Sequence, residues 1–314
     1  SPLALMDTLA ALTMLRNAYL ARDKMVPDWL DDALARMVPA LLMLTHADGG
    51  LGGWQGAAAI APEPVERLIA ATGVRTRPQR QSRDWGYQRL ANGRSVLIMD
   101  AGPPPLAVHG KAGCASTLAL EFSHAADRII VNCGGAALTG THIGAALSRA
   151  LRTTAAHSTL CLSDTNSTAI LPGGALGRGV DEVEIERNEV DKGTMLEVSH
   201  DGYDRSFGFI HRRRVILSAD GLQLQGLERL LPGHRSRRKG TLDFALRFHL
   251  APDTECEMLD QDKSAVLRLG SGALWHFLTP EGGLSVEESL WVAPDGRPVE
   301  SLQLVISGQV EPGG

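Results

Sequence analysis

The sequence has few aromatic residues, no long hydrophobic run and no excess of positive charge. Aromatic side chains make up 4% of the 314 residues, so an extended platform for stacking sugar rings or bases is not expected. No apolar run reaches the ~20 residues that a helix needs to cross a bilayer, so no membrane span is predicted. With a formal net charge of −5, contact with a polyanion requires a local group of cations, and no nucleic-acid partner is expected.

Motifs of common cofactor and metal sites are also missing. The Gly-rich segment 46–53 follows a helical pattern instead of preceding one, and no GxGxxG motif follows a predicted strand, which argues against Rossmann and P-loop enzymes. The cysteines form no CxxC pair, so neither a zinc ribbon nor a disulfide-dense domain is expected, and their redox state stays open. They are Cys114, Cys133, Cys161 and Cys256.

The periodicity of apolar residues divides the chain into a helical part and a strand-rich part. Residues 4–22 and 28–46 have apolar side chains at helical spacing, namely Leu5, Leu9, Leu12 and Leu15, then Leu30, Leu34, Met37 and Leu41. Pro27 suits a helix start. Short strand-like runs follow at 96–99, 118–122, 129–131, 160–162, 183–186, 196–198, 215–217, 244–246, 266–269, 274–277 and 302–306. We therefore predict an α+β chain, with terminal helices followed by a large antiparallel β-sandwich.

Three short motifs lie between residues 109 and 159. They read His109-Gly-Lys111-Ala112, Val131-Asn132-Cys133-Gly134 and Ala156-His157-Ser158-Thr159. They resemble the His-x-His-Ala, Val-Asp-x-Gly and Ala-His-Asn-Thr motifs of heparinase II/III-type polysaccharide lyases and their alginate-lyase relatives. The resemblance implies the last helices of an (α/α) toroid and a connection over residues 1–75, and the family's sandwich over residues 76–314.

The resemblance also implies a chemistry, in which a uronic-acid chain is cut by β-elimination. A fixed positive group must stabilise the uronate carboxylate as charge builds on it. A base with a pKa near the working pH, such as a histidine, must remove the C5 proton. His109 matches a catalytic-site histidine of the family, and Lys111 stands where the family has a metal-ligating histidine. We therefore predict His109 and Lys111 as catalytic residues, with Lys111 as a fixed cation. The alternatives are a surface-loop histidine without a function and a solvated loop lysine.

The other two family ligand positions are occupied by Asn132, in place of an aspartate, and by His157. A charged lysine cannot bind a metal, and asparagine is a poor zinc ligand, so neither a metal nor another cofactor is predicted. Asn132 and His157 are instead predicted to bind substrate beside Lys111. For His157, a buried histidine hydrogen-bonded to carbonyl groups is the alternative.

A further block, His200-Asp201-Gly202-Tyr203 followed by His211-Arg212-Arg213-Arg214, is similar to the family's D-x-x-Y…H-x-R region. Tyr203 is predicted to assist proton transfer, and His200, Arg212 and Arg214 to bind substrate. Strand alternation places Arg212 and Arg214 on one face and Arg213 on the other. A core tyrosine and solvated arginines are the alternatives.

The leading hypothesis is a carbon–oxygen lyase, or a descendant of such enzymes, acting on an acidic polysaccharide in the periplasm or cell envelope. The chain begins Ser1-Pro2-Leu3 without an initiator Met, which suggests the interior of a longer polypeptide. The family's toroid tyrosine falls at Ala4, so at most half of an active site is expected here. A non-catalytic protein that binds acidic carbohydrate or belongs to the cell envelope is the first alternative, and a purely structural sandwich is the second. The sequence leaves the polysaccharide and the oligomeric state open.

Overall fold

A computed structural model describes residues 1–81, 86–106, 112–136, 143–235, 240–260 and 262–311. The N-terminal part contains helices α1 (Pro2–Leu20), α2 (Asp28–Met43) and α3 (Pro62–Thr72). Both predicted helices are confirmed, and α2 starts directly after Pro27. Of the α1 stripe, Leu5 and Leu9 are buried, whereas Leu15 is 40% exposed. None of the helices within these ranges is long and apolar enough to span a membrane.

The rest of the described chain is mainly antiparallel strand with two short helices, and each predicted strand-like run overlaps an observed strand. The bounds are β1 (Tyr87–Asn92), β2 (Ser95–Asp100), β3 (Leu120–His124), β4 (Asp127–Val131), α4 (Ala145–Ala150), β5 (Leu160–Leu162), β6 (Val183–Val190), β7 (Gly193–His200), α5 (Asp204–Phe207), β8 (Phe209–Ser218), β9 (Leu224–Pro232), β10 (Leu242–Leu250), β11 (Glu255–Asp260), β12 (Ser264–Arg268), β13 (Leu274–Leu278), β14 (Leu284–Val292) and β15 (Pro298–Val310).

The described strands form three sheets that enclose a common core. The largest sheet has the order β1-β2-β3-β4-β10-β15-β14, with β5 also paired to β10; the others are β6-β7-β8-β9 and β11-β12-β13. All three sheets bury apolar side chains in one cluster, to which Phe122, Leu304, Leu196, Val215 and Leu267 belong. The predicted α+β fold with an antiparallel sandwich is therefore confirmed.

The helical part packs on the opposite face of the large sheet, at β1 to β3. A second apolar cluster joins Leu9 of α1 and Leu34 of α2 to Val96 and Ile98 of β2. Trp54, in the connection after α2, is fully buried in the same cluster. This packing brings the Gly-rich segment that follows α2 against the sheet, beside the motif residues.

Candidate functional site

A glycine-rich junction joins three parts of the chain next to the motifs. A Cβ atom on Gly53 would lie 2.7 Å from the Cα atom of Gly134, and one on Gly56, where φ is +79°, would lie 2.6 Å from the carbonyl oxygen of Ala112. Residues larger than glycine do not fit such close backbone contacts. His109 and Lys111 lie outside the described residues, and the chain from Lys111 joins this junction at Ala112.

Asn132 lies beside the junction, and both its amide nitrogen and its amide oxygen form hydrogen bonds within the protein. It is fully buried, and its backbone N–H and Nδ2 donate to Glu121 Oε1 at 3.1 and 3.0 Å. Its Oδ1 accepts from the backbone N–H of Ser158 at 2.9 Å. Because the Nδ2 group has to donate to a carboxylate, an asparagine fits here and an ionised aspartate does not.

Glu121 ties Asn132 to the connection that follows α2. Its Oε1 also accepts from the backbone N–H of Gly53 at 3.1 Å, and its Oε2 accepts from His46 Nε2 at 2.8 Å. Burial alone would raise the pKa of Glu121, but the hydrogen bond and charge of His46, together with the charge of Arg128, lower it below the ordinary value. The ionised carboxylate thus holds together segments that are 75 residues apart in the sequence. Sequence reasoning missed Glu121, which carries no motif signal.

His157 is buried and anchors the turn that precedes it. Its Nδ1–H donates to the carbonyl oxygen of Thr153 at 2.7 Å. Burial lowers its pKa to about 4, so the imidazole is neutral near pH 7. His249 lies behind it, with Nε2 donating to the Ala155 carbonyl at 3.0 Å and a pKa lowered by burial to about 3. This geometry matches the alternative of a buried histidine bonded to carbonyl groups.

Ser158 stands where the family motif has an asparagine, and it links Asn132 to three other elements. Its hydroxyl donates to the carbonyl of Val131 at 2.6 Å and accepts from the backbone N–H of His249 at 2.9 Å. Its own carbonyl accepts from Arg213 Nη1 at 2.8 Å. The structure thus brings Asn132 and His157 together through Ser158, a residue to which the motif comparison gave no role.

Arg213, on the inner face of β8, is fully buried, and two of its guanidinium nitrogens, Nε and Nη1, donate hydrogen bonds. Its Nε donates to Glu228 Oε1 at 2.6 Å, and Nη1 donates to the carbonyls of Leu118 and Ser158 at 2.6 and 2.8 Å. Arg212 and Arg214 point to the other face, so the predicted alternation is confirmed. The single inward arginine, and not the outward pair, connects β8 with the motif segment.

His200 belongs to a buried chain of hydrogen bonds on the same inner face, away from Asn132. The backbone N–H of Gly202 donates to His200 Nδ1 at 3.0 Å, which leaves Nε2–H to donate to His211 Nδ1 at 3.3 Å. His211 Nε2 then donates to Glu228 Oε2 at 2.6 Å. Burial, with the charges of His211 and Arg213, lowers the pKa of His200 well below its ordinary value. The arrangement gives both ring nitrogens of His200 a hydrogen-bond partner inside the core.

Tyr203 is a core residue. It is fully buried, and its hydroxyl donates to the carbonyl of Leu160 at 2.9 Å. Burial raises the pKa of the phenol well above its ordinary value, which disfavours the phenolate needed for proton removal. The structure supports the alternative reading of this residue, in which it packs beside β5 and α5.

Arg212 and Arg214 lie on the outer face of the four-stranded sheet, where acidic residues compensate them. Glu197 Oε2 lies 2.5 Å from Arg214 Nε, and its Oε1 lies 3.7 Å from Arg212 Nη1. A shallow groove of about 280 Å³ beside Arg212 is lined by Glu184 and Glu186 as well as Glu197. Three carboxylates around one guanidinium make this groove unfavourable for a polyanion.

A buried carboxyl group that sequence reasoning missed lies at the junction. Asp100 Oδ2 accepts from Ser116 Oγ at 2.7 Å and from Gln55 Nε2 at 2.8 Å, and burial raises its pKa to about 6. Gln55 Oε1 in turn accepts from the backbone N–H of Cys114 at 3.0 Å. Asp100 therefore holds the Gly-rich connection against the segment that continues from Lys111.

The described donor set does not suit a divalent metal. In the ranges the structure describes, no group of three or more His, Cys, Asp or Glu side chains could hold a metal ion. At the family's ligand positions, Asn132 uses both amide atoms within the protein. The Nδ1–H of His157 donates to a carbonyl, an arrangement that metal-binding histidines also have, so it is Asn132, and not His157, that disfavours a metal here. No step that depends on a metal is therefore derived for these residues, and the absence of a cofactor stays a prediction.

Comparison with known proteins identifies the family to which the sequence is similar. The profile of the family "Heparinase II/III-like, C-terminal" matches residues 74–314. The FtsZ-localized protein C of Caulobacter vibrioides is 29% identical over 327 aligned positions, which cover 99% of this chain and 55% of that protein. The chain thus spans about half the length of this curated relative.

Solved structures of lyases share the fold. The heparan sulfate lyase HepC from Pedobacter heparinus superposes with a TM-score of 0.71 at 13% identity, over 100% of this chain and 50% of that one. A crystal structure of heparinase III superposes with a TM-score of 0.73 at 12% identity, over 100% of this chain and 52% of that one. At such low identity the likeness concerns the fold alone.

Proposed function

Because the chain belongs to the Heparinase II/III-like, C-terminal family, we propose that it is part of a lyase-fold protein that binds an acidic carbohydrate without a metal-dependent reaction. The observation that carries this proposal is that the Asn132 amide forms two hydrogen bonds within the protein, one to Glu121 and one with the Ser158 backbone. A residue that closes two buried hydrogen bonds within the protein stabilises the fold, and both of its amide atoms are already engaged there.

The other described candidates support the same conclusion. His157, His200 and Tyr203 are at most 2% exposed, and each has a ring or hydroxyl atom in a hydrogen bond within the protein. A general base must come within hydrogen-bond reach of the proton that it removes. These three side chains therefore suit a structural role better than a catalytic one.

The curated relative favours binding over catalysis. Its name records localisation with FtsZ and no reaction, and it aligns with 99% of this chain. A protein that acts by binding and not by catalysis fits both that relative and the buried motif residues. We extend this to the present chain as part of the proposal, and the periplasmic or cell-envelope location remains a prediction for cell fractionation.

A second candidate function, favoured by the family and by the lyase fold, is β-elimination on a uronic-acid polysaccharide. In that case His109 would act as the base and Lys111 as the cation that stabilises the carboxylate. Both residues lead into Ala112 at the glycine-rich junction. A lysine ammonium is a compact point charge that can take the place of a metal in stabilising an anion.

One experiment separates the two functions. The full-length protein is incubated with heparan-type, alginate-type and bacterial uronic-acid polysaccharides, while ultraviolet absorbance of a 4,5-unsaturated uronate and binding at rising salt are recorded. We expect no product and a salt-sensitive affinity that Lys111→Ala weakens. Arg268→Gln, which removes an exposed charge, serves as the matched control.

Three other outcomes would decide against the proposal. Product that disappears in His109→Ala would establish the lyase and refute a purely binding role. Product that persists in His109→Ala would also establish a lyase, with another base. Neither product nor affinity with any of the polysaccharides would leave the structural sandwich as the remaining hypothesis.

A further inference from the structure

A second groove, at the turn between β1 and β2, contains an unusual arginine. The groove has a volume of about 600 Å³, within the usual range for ligand sites, and Arg89, Arg94 and Asp48 line it together with the turn at 125–126. It lies at the Ser95 end of β2, whereas the glycine-rich junction lies at the Asp100 end. A six-residue strand separates the two by roughly 16 Å.

Arg89 is buried without a compensating partner. It is 9% exposed, and its Nε and Nη1 atoms have no hydrogen-bond partner. Within the ranges that the structure describes, no carboxylate forms an ion pair with it. Burial lowers the pKa of Arg89 to about 10. An unpaired buried guanidinium is unfavourable by several kcal/mol unless an anion or ordered solvent compensates it.

Two other arginines differ from Arg89 because a carboxylate compensates each of them. Arg213 also has one buried nitrogen without a hydrogen-bond partner, Nη2, but its Nε donates to Glu228 and its Nη1 to two carbonyl groups. Arg128 pairs with Asp48, with 3.0 Å between Nε and Oδ2. The pair neutralises Asp48, the acidic residue in the lining, and the exposed Arg94 adds a second positive charge.

We propose that this groove binds a carboxylate or sulfate group of an acidic saccharide, held by Arg89 through its remaining nitrogen, Nη2, and by Arg94. The groove lining thus contains one buried and one exposed cation. A guanidinium N–H donates a charge-assisted hydrogen bond to such oxyanions. The oxyanion site depends only on the groove, while the saccharide as its source rests on the proposed function.

The first experiment measures the melting temperature of the full-length protein in sodium sulfate, sodium glucuronate and sodium chloride at equal ionic strength. Ligand at about 100 times its dissociation constant is expected to raise the melting temperature by roughly 4 °C. Sulfate also stabilises proteins in general, so the comparison is with Arg89→Met, which keeps the length of the side chain and removes its charge.

Arg89→Met gives a signature that a structural arginine would not give. In chloride its melting temperature should equal or exceed that of the wild type, because a buried unpaired charge has been removed. The extra stabilisation by sulfate and glucuronate should disappear. Arg94→Gln should weaken binding at least tenfold and Arg268→Gln should leave it unchanged. A lower melting temperature of Arg89→Met in chloride, or equal anion effects in all variants, would overturn the oxyanion site.

A heparin-derived oligosaccharide then tests the source of the oxyanion. Binding to the wild type that is lost in Arg89→Met would support the whole inference. Equal binding to both proteins would leave the proposed function intact and refute the groove as its site. Binding of free sulfate without any binding of the oligosaccharide would refute the saccharide source, and with it the carbohydrate role for that class of chain.

Discussion

Replacement of Asn132 by aspartate would restore the residue type of the family motif and test why it is absent here. The change keeps Oδ1, which accepts from Ser158, and replaces the Nδ2 donor by an oxygen 3.0 Å from Glu121 Oε1. Both side chains are at most 1% exposed. Two carboxylates at this distance repel each other by about 5 kcal/mol at an effective dielectric constant of ~20.

The protein can reduce this repulsion by protonating the new carboxyl group, which then donates to Glu121. The pKa of the introduced carboxyl group is thereby raised above its unfolded value of about 3.9, and each unit destabilises the fold by about 1.4 kcal/mol at higher pH. Because the pKa is higher in the folded state, the loss of stability is absent below pH ~4. It increases with pH until the pH passes the folded pKa. We expect Asn132→Asp to lose about 3–5 kcal/mol at pH 7 and much less at pH 5.

Urea unfolding at pH 5, 6 and 7 measures this loss, and the chain offers a matched control. Asn188 Nδ2 donates to Glu186 Oε1 at 2.6 Å on an exposed strand, so Asn188→Asp makes the same chemical change in water. That variant should change stability by less than about 1 kcal/mol at any of these pH values. A loss below about 1 kcal/mol at pH 7 in Asn132→Asp would refute the reasoning. Stoichiometric zinc binding that stabilises the wild-type protein would refute the proposal that the site is unsuited to a metal.

Two further predictions concern the buried motif residues. Tyr203→Phe should destabilise the protein by about 1–2 kcal/mol in urea unfolding, because the Leu160 carbonyl loses its buried donor. Its polysaccharide binding and any turnover should not change, and a change in either would restore Tyr203 to the site. For His157, the folded pKa of about 4 lies below the unfolded value of about 6.5. The unfolded chain therefore takes up the proton first, and roughly 3 kcal/mol of stability is lost as pH falls from 6.5 to 4. His157→Gln should flatten this part of the pH profile, and profiles of equal slope would contradict the buried neutral state.

Much of the fold could be read from local patterns. Helical spacing located α1 and α2, and apolar runs located the strands whose inner faces form the core. Local patterns did not predict the strands β1, β9, β11 and β14. β9 is largely exposed, and its sequence lacks a clear alternation. β11 does alternate, but only Cys256 and Met258 face inward, which is too few residues for a clear signal. They are strands because a neighbouring strand pairs with them, which is a tertiary property.

The candidate site shows the same division. Motif comparison found Asn132 and His157 and predicted that they bind substrate, because a motif does not show which hydrogen bonds its side chains make. Glu121, Ser158 and Arg213 connect the two residues to the core. Glu121 has no motif of its own, and Arg213 could be placed on a face of its strand without its partner being known.

The sequence by itself determined helices α1 and α2, most strands, the family and the alternation of Arg212 and Arg213 along β8. Only the tertiary structure decided which charges are compensated, because salt bridges and buried hydrogen bonds join strands that are distant in the chain. Arg213 meets Glu228 through the pairing of β8 with β9. Arg89, in an equally ordinary strand sequence, meets no such partner among the described residues. That difference, invisible in the sequence, makes one arginine part of the core and the other a candidate for binding an anion.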